Sequence, residues 1–236
     1  MLRIINLSKT YTKGKKAVDN LSLEIKPGEI FAFIGHNGAG KTTTIKSIVG
    51  ILDFEEGDIF IDNHSIKEEP IYCKSIIAYI PDNPDLYEQL TGIQYLNFIC
   101  DIYKVNKDQR NADIGKYSRM FEIEKNLADL ISSYSHGMKQ KLALISALAR
   151  RPKLLVLDEP FVGLDPKASF QVKEVMKEMC NQGSSIFFST HVLEVAEKLC
   201  DKVAIIKNGK IIAFGTMEDV KGDKSLEDVF LETANE

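Results

Sequence analysis

No stretch of the chain approaches the roughly 20 consecutive apolar residues that a helix needs to cross a bilayer. The N-terminal segment MLRIINLSKT has no apolar run of the signal-peptide kind. If the protein serves a membrane, it is expected to do so through a partner. A basic excess is also missing: 30 Lys and Arg stand against 34 Asp and Glu, mixed along the chain, for a net charge of -4. Nucleic-acid backbones are tracked by surplus positive charge, so DNA or RNA is not expected as the main partner. Cysteine is scarce and scattered. Cys73, Cys100, Cys180 and Cys200 form no Cys-x-x-Cys pair, which speaks against a zinc site or a disulfide scaffold and suits a reducing cytoplasm. Long low-complexity tracts and internal repeats are absent as well. What remains is a 236-residue chain with 44% hydrophobic residues, enough for a sizeable core in one large domain or two closely joined lobes.

Apolar runs and turns dominate the first third. LRIINLSKTY and AVDNLSLEI flank the polar turn TKGKK and predict an antiparallel pair, after which Pro27-Gly28 marks a tight turn. The apolar run Ile30 to Gly35 predicts a short buried strand, and a helix is expected from about Lys41 to Gly50, a good C′ residue. GDIFID and SIIAYIP read as two further strands. Between Leu86 and about Arg151 the character turns helical, in QYLNFICDIYKV, KYSRMFEI and MKQKLALISALARR. In the last of these, Leu142, Ile145 and Ala149 share one face, as do Leu144 and Leu148. Strands resume with LLVLD, followed by a helix near Ala168 to Asn181, the strand SIFFST and a helix near Val192 to Leu199. VAIIKNGKIIAFG predicts a hairpin across Asn208-Gly209. The charged tail from Thr216 is expected to be helical in part.

GHNGAGKT, Gly35 to Thr42, fits G-x-x-x-x-G-K-[ST] and stands between a buried strand and a helix, the context that makes the pattern specific. Glycines let the backbone turn its N–H groups around phosphates, and the helix start adds a positive dipole end. Asn37, Gly38, Ala39, Gly40, Lys41, Thr42 and Thr43 are therefore the expected phosphate-binding residues. Lys41 would reach the β- and γ-phosphates, and the Thr42 hydroxyl would ligate Mg²⁺. LLVLDEP supplies the complement: Asp158 ends a buried strand, placed to hold Mg²⁺ through water, and Glu159 is placed to polarise the attacking water. Alone, an Asp-Glu pair is equally a helix start with two acidic caps.

Taken in order, GHNGAGKTTT, YSHGMKQK, LLVLDEP, GLDP and STH resemble the nucleotide-binding subunit of an ATP-binding cassette (ABC) transporter, over nearly the whole chain from Tyr11 to the tail. The fold this implies is α/β: a P-loop NTPase (RecA-like) core with an antiparallel β subdomain and an inserted α-helical subdomain. As one ATPase domain, 1–85 and 152–215 would form the core lobe, 86–151 the helical lobe and 216–236 a tail. ATP and Mg²⁺ are the implied cofactors. The family's signature is usually LSGGQ, which grips the γ-phosphate of ATP held by a second subunit lying head to tail. Ser135 and Gly137 match its serine and second glycine, whereas Tyr134, His136 and Met138 depart from it. The His136 side chain is expected to turn to solvent; a sharper reading has it adding charge beside the γ-phosphate below its ordinary pKa of ~6.5.

By the same resemblance His191 is the switch histidine and Gly163-Leu164-Asp165 the loop that crosses the dimer interface. Asp165 is also expected to cap a helix that Pro166 begins. Tyr11 would stack on adenine, a contact that reads no base identity. Asp82 stands where the family commonly has a glutamine that touches Mg²⁺, with Asn83 as its neighbour in YIPDNPDLYEQLT. PDLYEQLT would line a groove for an integral membrane subunit. The signature form and the ending SLEDVFLE resemble bacterial exporters of the second ABC type, at the cytoplasmic face of the plasma membrane. Drugs or amphipathic and antimicrobial peptides rank first as cargo, and the ATPase pair is a homodimer or a heterodimer. Two rival readings are a soluble ABC protein acting on ribosomes or nucleic acid and a small-molecule kinase. The first usually carries two cassettes or long coiled coils, and the second leaves GLDP, STH and YSHGMKQK unexplained.

Overall fold

The computed structural model describes residues 1–11 and 14–235. The expected TKGKK turn includes residues 12 and 13, which lie outside the described residues, as does residue 236 of the tail. In chain order, β1 (Leu2–Thr10) and β2 (Lys16–Ile25) precede β3 (Ile30–Ile34), which leads to α1 (Lys41–Ile48). Next come β4 (Glu56–Ile61), β5 (His64–Ser65), α2 (Pro70–Ile76) and β6 (Ile77–Ile80). A helical stretch follows, with α3 (Gly92–Ile102), α4 (Lys107–Met120) and α5 (His136–Leu148). Then β7 (Leu154–Asp158), α6 (Pro166–Asn181), β8 (Ser185–Thr190), α7 (Leu193–Leu199) and β9 (Lys202–Lys207) alternate, before β10 (Lys210–Thr216), α8 (Met217–Lys221) and α9 (Leu226–Asn235).

The strands form two sheets. One is antiparallel in the order β2-β1-β4-β5; the other runs β10-β9-β3-β8-β7-β6 and is parallel except for its β9–β10 hairpin. The fold is α/β, with an antiparallel sheet beside a parallel sheet of P-loop type and helices, as the motifs implied. Strand β3 shows why its run is continuously apolar. Ile30, Ala32 and Ile34 face the core shared with the helices, while Phe31 and Phe33 face the core shared with the antiparallel sheet. A parallel strand covered on both faces has no polar side to alternate with. Phe31 stacks on Phe187 of β8, with ring centroids 5.5 Å apart.

This register also builds the site. Ile34 pairs with Thr190 and Asp158 with Ser189, in parallel. The carboxyl ends of β3, β7 and β8 therefore open on one edge, where ligands of open α/β sheets bind.

Helix termini follow their caps. The Thr91 side chain accepts from the Gln94 N–H, and Gln94 returns the bond in a capping box. Gly50, at φ 67°, takes the left-handed position just beyond α1. Both hairpin residues, Asn208 and Gly209, have positive φ, as a type I′ turn demands.

Some elements depart from the sequence pattern. SIIAYIP is not one strand: Ser75 and Ile76 end α2, and β6 begins at Ile77. Helix α2 leaves no sequence signal, because seven residues that bury only Cys73 show no helical period. FEI lies beyond α4, with Phe121 and Ile123 packed into the core. Helix α5 begins at His136, two residues before MKQKLA, and both of its apolar faces are buried. All four cysteines are buried and unpaired, and burial raises the thiol pKa of Cys180 to about 12.

Candidate functional site

The loop after β3 is shaped by backbone demands. A Cβ on Gly35 would sit 2.6 Å from the Ile206 carbonyl oxygen, so only glycine lets the loop pass there. Gly40 adopts φ 113° and stands at the N-cap of α1, with no side-chain cap and no acidic residue in the first turn. The first N–H groups of α1 are left for an anion.

Lys41 is buried, 7% exposed. Its ammonium donates to the Gly35 carbonyl at 2.6 Å and the His36 carbonyl at 3.4 Å, and lies 3.8 Å from Glu159 Oε1. The loop's own carbonyls thus hold the charge where a phosphate would meet it. Thr42 Oγ1 donates to Asp158 Oδ2 at 3.0 Å, and Ser189 Oγ donates to Asp158 Oδ1. Asp158 is 5% exposed, yet both of its oxygens are bonded.

Glu159 takes a positive φ of 50°, sparsely populated for a side chain of its size. Its N–H is held by Ser189, at 3.2 Å from both the carbonyl and the hydroxyl oxygen. This bend turns the carboxylate toward His191, whose Nδ1 lies 2.9 Å from Glu159 Oε2 and whose backbone N–H donates to the same oxygen at 3.3 Å.

Gly35, His36 and Asn37 line a cavity of about 510 Å³ together with Asp82, Glu159, Val162, His191 and Phe230. Asp82 and Asp158 are both within electrostatic reach of Tyr79. Burial, then the Asp158 charge, then that of Asp82, push the pKa of its hydroxyl up to about 12. Tyr11 lies on the other side of the loop, lining a cleft of about 300 Å³ with Lys41 and Thr43. It is half exposed, with its hydroxyl 3.4 Å from Thr43 Oγ1.

Ser135 and Gly137 line neither cavity. Ser135 is the N-cap of α5, accepting from the Met138 N–H at 3.3 Å. His136 is exposed, but its ring is not free in solvent: a Cβ on Gly163 would sit 2.5 Å from His136 Cδ2. Lys141 meets Asp165 at 2.9 Å, so the start of α5 is keyed to residues 163–165 at two points. Tyr134, the departure that precedes Ser135, is a core residue whose hydroxyl donates to the Asn126 carbonyl at 2.6 Å.

Asp165 caps α6, accepting from the Ala168 N–H at 2.7 Å, with Pro166 in the first turn. That bond, and then Lys141, hold its carboxyl below the usual aspartate range. Asp165→Ala is expected to cost about 1 kcal/mol, the typical worth of such a cap, read as a lower denaturant midpoint.

Ser189, His36 and Phe230 escaped sequence reasoning. Ser189 was within sight in STH, as the residue facing Asp158 across two parallel strands. His36 occupies a variable position of the loop, and Phe230 is far away in sequence; only the packing of α9 brings it in.

The model of the family described as "ABC transporter" matches residues 18–162. The chain belongs to the ABC transporter family. Among relatives of this ABC cassette, the ABC-type transporter ATP-binding protein EcsA of Bacillus subtilis is 35% identical over 241 residues, covering 100% of the chain and 97% of EcsA. The linearmycin resistance ATP-binding protein LnrL of the same organism is 35% identical over 223 residues, covering 93% of the chain and 70% of LnrL. A solved structure of an ATP binding subunit of an ABC transporter superposes with a TM-score of 0.95 at 34% identity, covering 99% of both chains. The chain is thus an ATP-binding subunit of the ABC type, from a family that hydrolyses ATP. Among the described residues no helix is long and apolar enough to cross a membrane.

Proposed function

We propose that this cassette hydrolyses ATP to drive export through a separate integral membrane subunit, at the cytoplasmic face of a bacterial plasma membrane. The observation that carries the hydrolytic part is the 2.9 Å contact between Glu159 and His191 in the cavity shared with the phosphate loop. Asn37 to Thr43 cradle the phosphates with backbone N–H groups, and Lys41 exchanges its loop carbonyls for the β- and γ-phosphates. Tyr11 stacks on the base.

Thr42, Asp158 and Asp82 offer oxygen donors only. Mg²⁺ takes one or two carboxylates, water and phosphate oxygens, and the preassembled Thr42–Asp158 pair fits that demand. Bound there, it would neutralise charge on the β- and γ-oxygens. Glu159 takes a proton from the attacking water, whose oxygen bonds to the γ-phosphorus as the bond to the bridging oxygen of ADP breaks. His191 orients Glu159 and faces the γ-phosphate.

Ser135 and Gly137 act on ATP held by a second cassette, in a head-to-tail homodimer or heterodimer; their place outside both cavities supports this. The working unit is one ATPase domain, with 1–85 and 152–215 as core lobe, 86–151 as helical lobe and 216–236 as tail. Closure of the pair would become motion of the membrane subunits. Their docking face is the helical lobe around PDLYEQLT. There Tyr87 and Phe98 lie edge to face with centroids 5.6 Å apart, and Ile102 and Tyr103 are also exposed. Exposed apolar patches of this kind mark interaction sites. Export of drugs or amphipathic peptides is supported by the linearmycin resistance function in the name of LnrL and by the YSHGMKQK form of the signature.

The test is to purify a tagged Glu159→Gln chain from detergent-solubilised native cells with ATP and magnesium and to identify what co-purifies. A near-equal amount of an integral membrane protein is expected. Ribosomal or DNA-bound partners alone would overturn the transport reading and support a soluble ABC ATPase.

A further inference from the structure

Helix α9 lies beyond the segment that the family model matches, 18–162, yet it reaches the phosphate-loop cavity. Its first turn is tied to α7: Leu226 is fully buried and its N–H donates to Glu197 Oε2 at 3.3 Å. The Ser225 hydroxyl accepts from the Asp228 N–H at 3.1 Å. Its last turn is tied to β9, where the Lys207 ammonium donates to the Thr233 carbonyl at 3.1 Å, a favourable place for a cation. Between these anchors the Phe230 ring lies against the His36 imidazole, with centroids 4.6 Å apart and a tilt of 48°.

His36 is a structural member of the phosphate loop. Its carbonyl accepts from the Ala39 N–H at 3.1 Å and from Lys41 at 3.4 Å. Residues 36–38 are exposed, and the Phe230 ring is an aromatic contact that His36 receives from outside the loop.

We propose that Phe230 is a positioning residue of the nucleotide site. It pins His36 and, through it, keeps the N–H groups of the loop in the shape that receives phosphates. This rests on the reading of Gly35 to Thr43 as the nucleotide loop. A mobile loop must be ordered when nucleotide binds, so losing the pin weakens binding and raises KM more than it lowers kcat. Aromatic pairs of this geometry set the scale at about three- to tenfold in affinity.

The test is calorimetric titration of ADP with magnesium into the parent chain, Phe230→Ala, Phe230→Tyr, His36→Ala and the double variant, with ATPase kinetics alongside. Phe230→Ala is expected to weaken binding about three- to tenfold, Phe230→Tyr to restore it, and the double variant to lose no more than His36→Ala alone. Unchanged binding in Phe230→Ala, or losses that add in the double variant, would overturn the proposal. So would faster hydrolysis at unchanged affinity, which would make α9 a restraint on turnover. If Phe230→Ala does not fold, His36→Ala reads the same contact: weaker binding supports the proposal, unchanged binding overturns it. A parent chain that fails to bind ADP at all is a different result and sinks the nucleotide-loop reading itself.

Discussion

Glu159→Gln is expected to bind ATP as the parent chain does and to hydrolyse it about 10²- to 10⁴-fold more slowly, the range in which a positioned general base contributes. The substitution is nearly isosteric, and the bend at Glu159 is held by backbone bonds to Ser189 that Gln can make equally. What changes is proton affinity: an amide oxygen cannot take the proton of the attacking water. Lys41 also loses a negative neighbour at 3.8 Å, which leaves its charge to the phosphates and keeps ATP affinity from falling. Single-turnover phosphate release and equilibrium ATP binding, measured on one preparation, separate the two effects. A variant that hydrolyses ATP at the parent rate would remove Glu159 from the chemistry.

Gly40→Ala is expected to cost about 3 kcal/mol or more of stability and to abolish the thermal stabilisation that ATP confers. At φ 113° an L-residue is strained, and the added Cβ would lie 2.5 Å from the Ala17 carbonyl oxygen, a backbone atom that cannot swing away. Relief requires shifting either β2 or the first turn of α1, and that turn carries the phosphate-facing N–H groups. Gly38→Ala is the control. Gly38 also has positive φ, 79°, but its Cβ would meet nothing within 4 Å, so only the conformational cost of about 1 kcal/mol is expected. Denaturant midpoints for both, with and without ATP, decide the matter. Equal losses in the two variants would show that φ alone, not the approach to Ala17, fixes the glycine at position 40.

The parts readable in sequence were those whose physics is local. A phosphate loop needs its glycines, lysine and hydroxyl in consecutive order, so GHNGAGKT announced itself. Strands β3 and β7 were legible because burial on both faces leaves an unbroken apolar run. The cap at Asp165 and the hairpin at Asn208-Gly209 were likewise local events, set by one side chain or one pair of positive φ angles. Helix α2 was illegible because its seven residues bury one side chain and present no period.

Which residues meet was decided elsewhere. The order of motifs supplied Asp158, Glu159 and His191, but parallel pairing of β7 with β8 is what puts Ser189 on Asp158 and His191 on Glu159. The burial of Leu226 and the anchoring of α9 at both ends carry Phe230 to His36, a pair separated by most of the chain. The sequence by itself determined the chemistry available, because residue type and spacing dictate which groups can bind phosphate or accept a proton. The tertiary structure decided which distant side chains share a cavity, because those contacts come from sheet register and helix packing, and no local pattern encodes them.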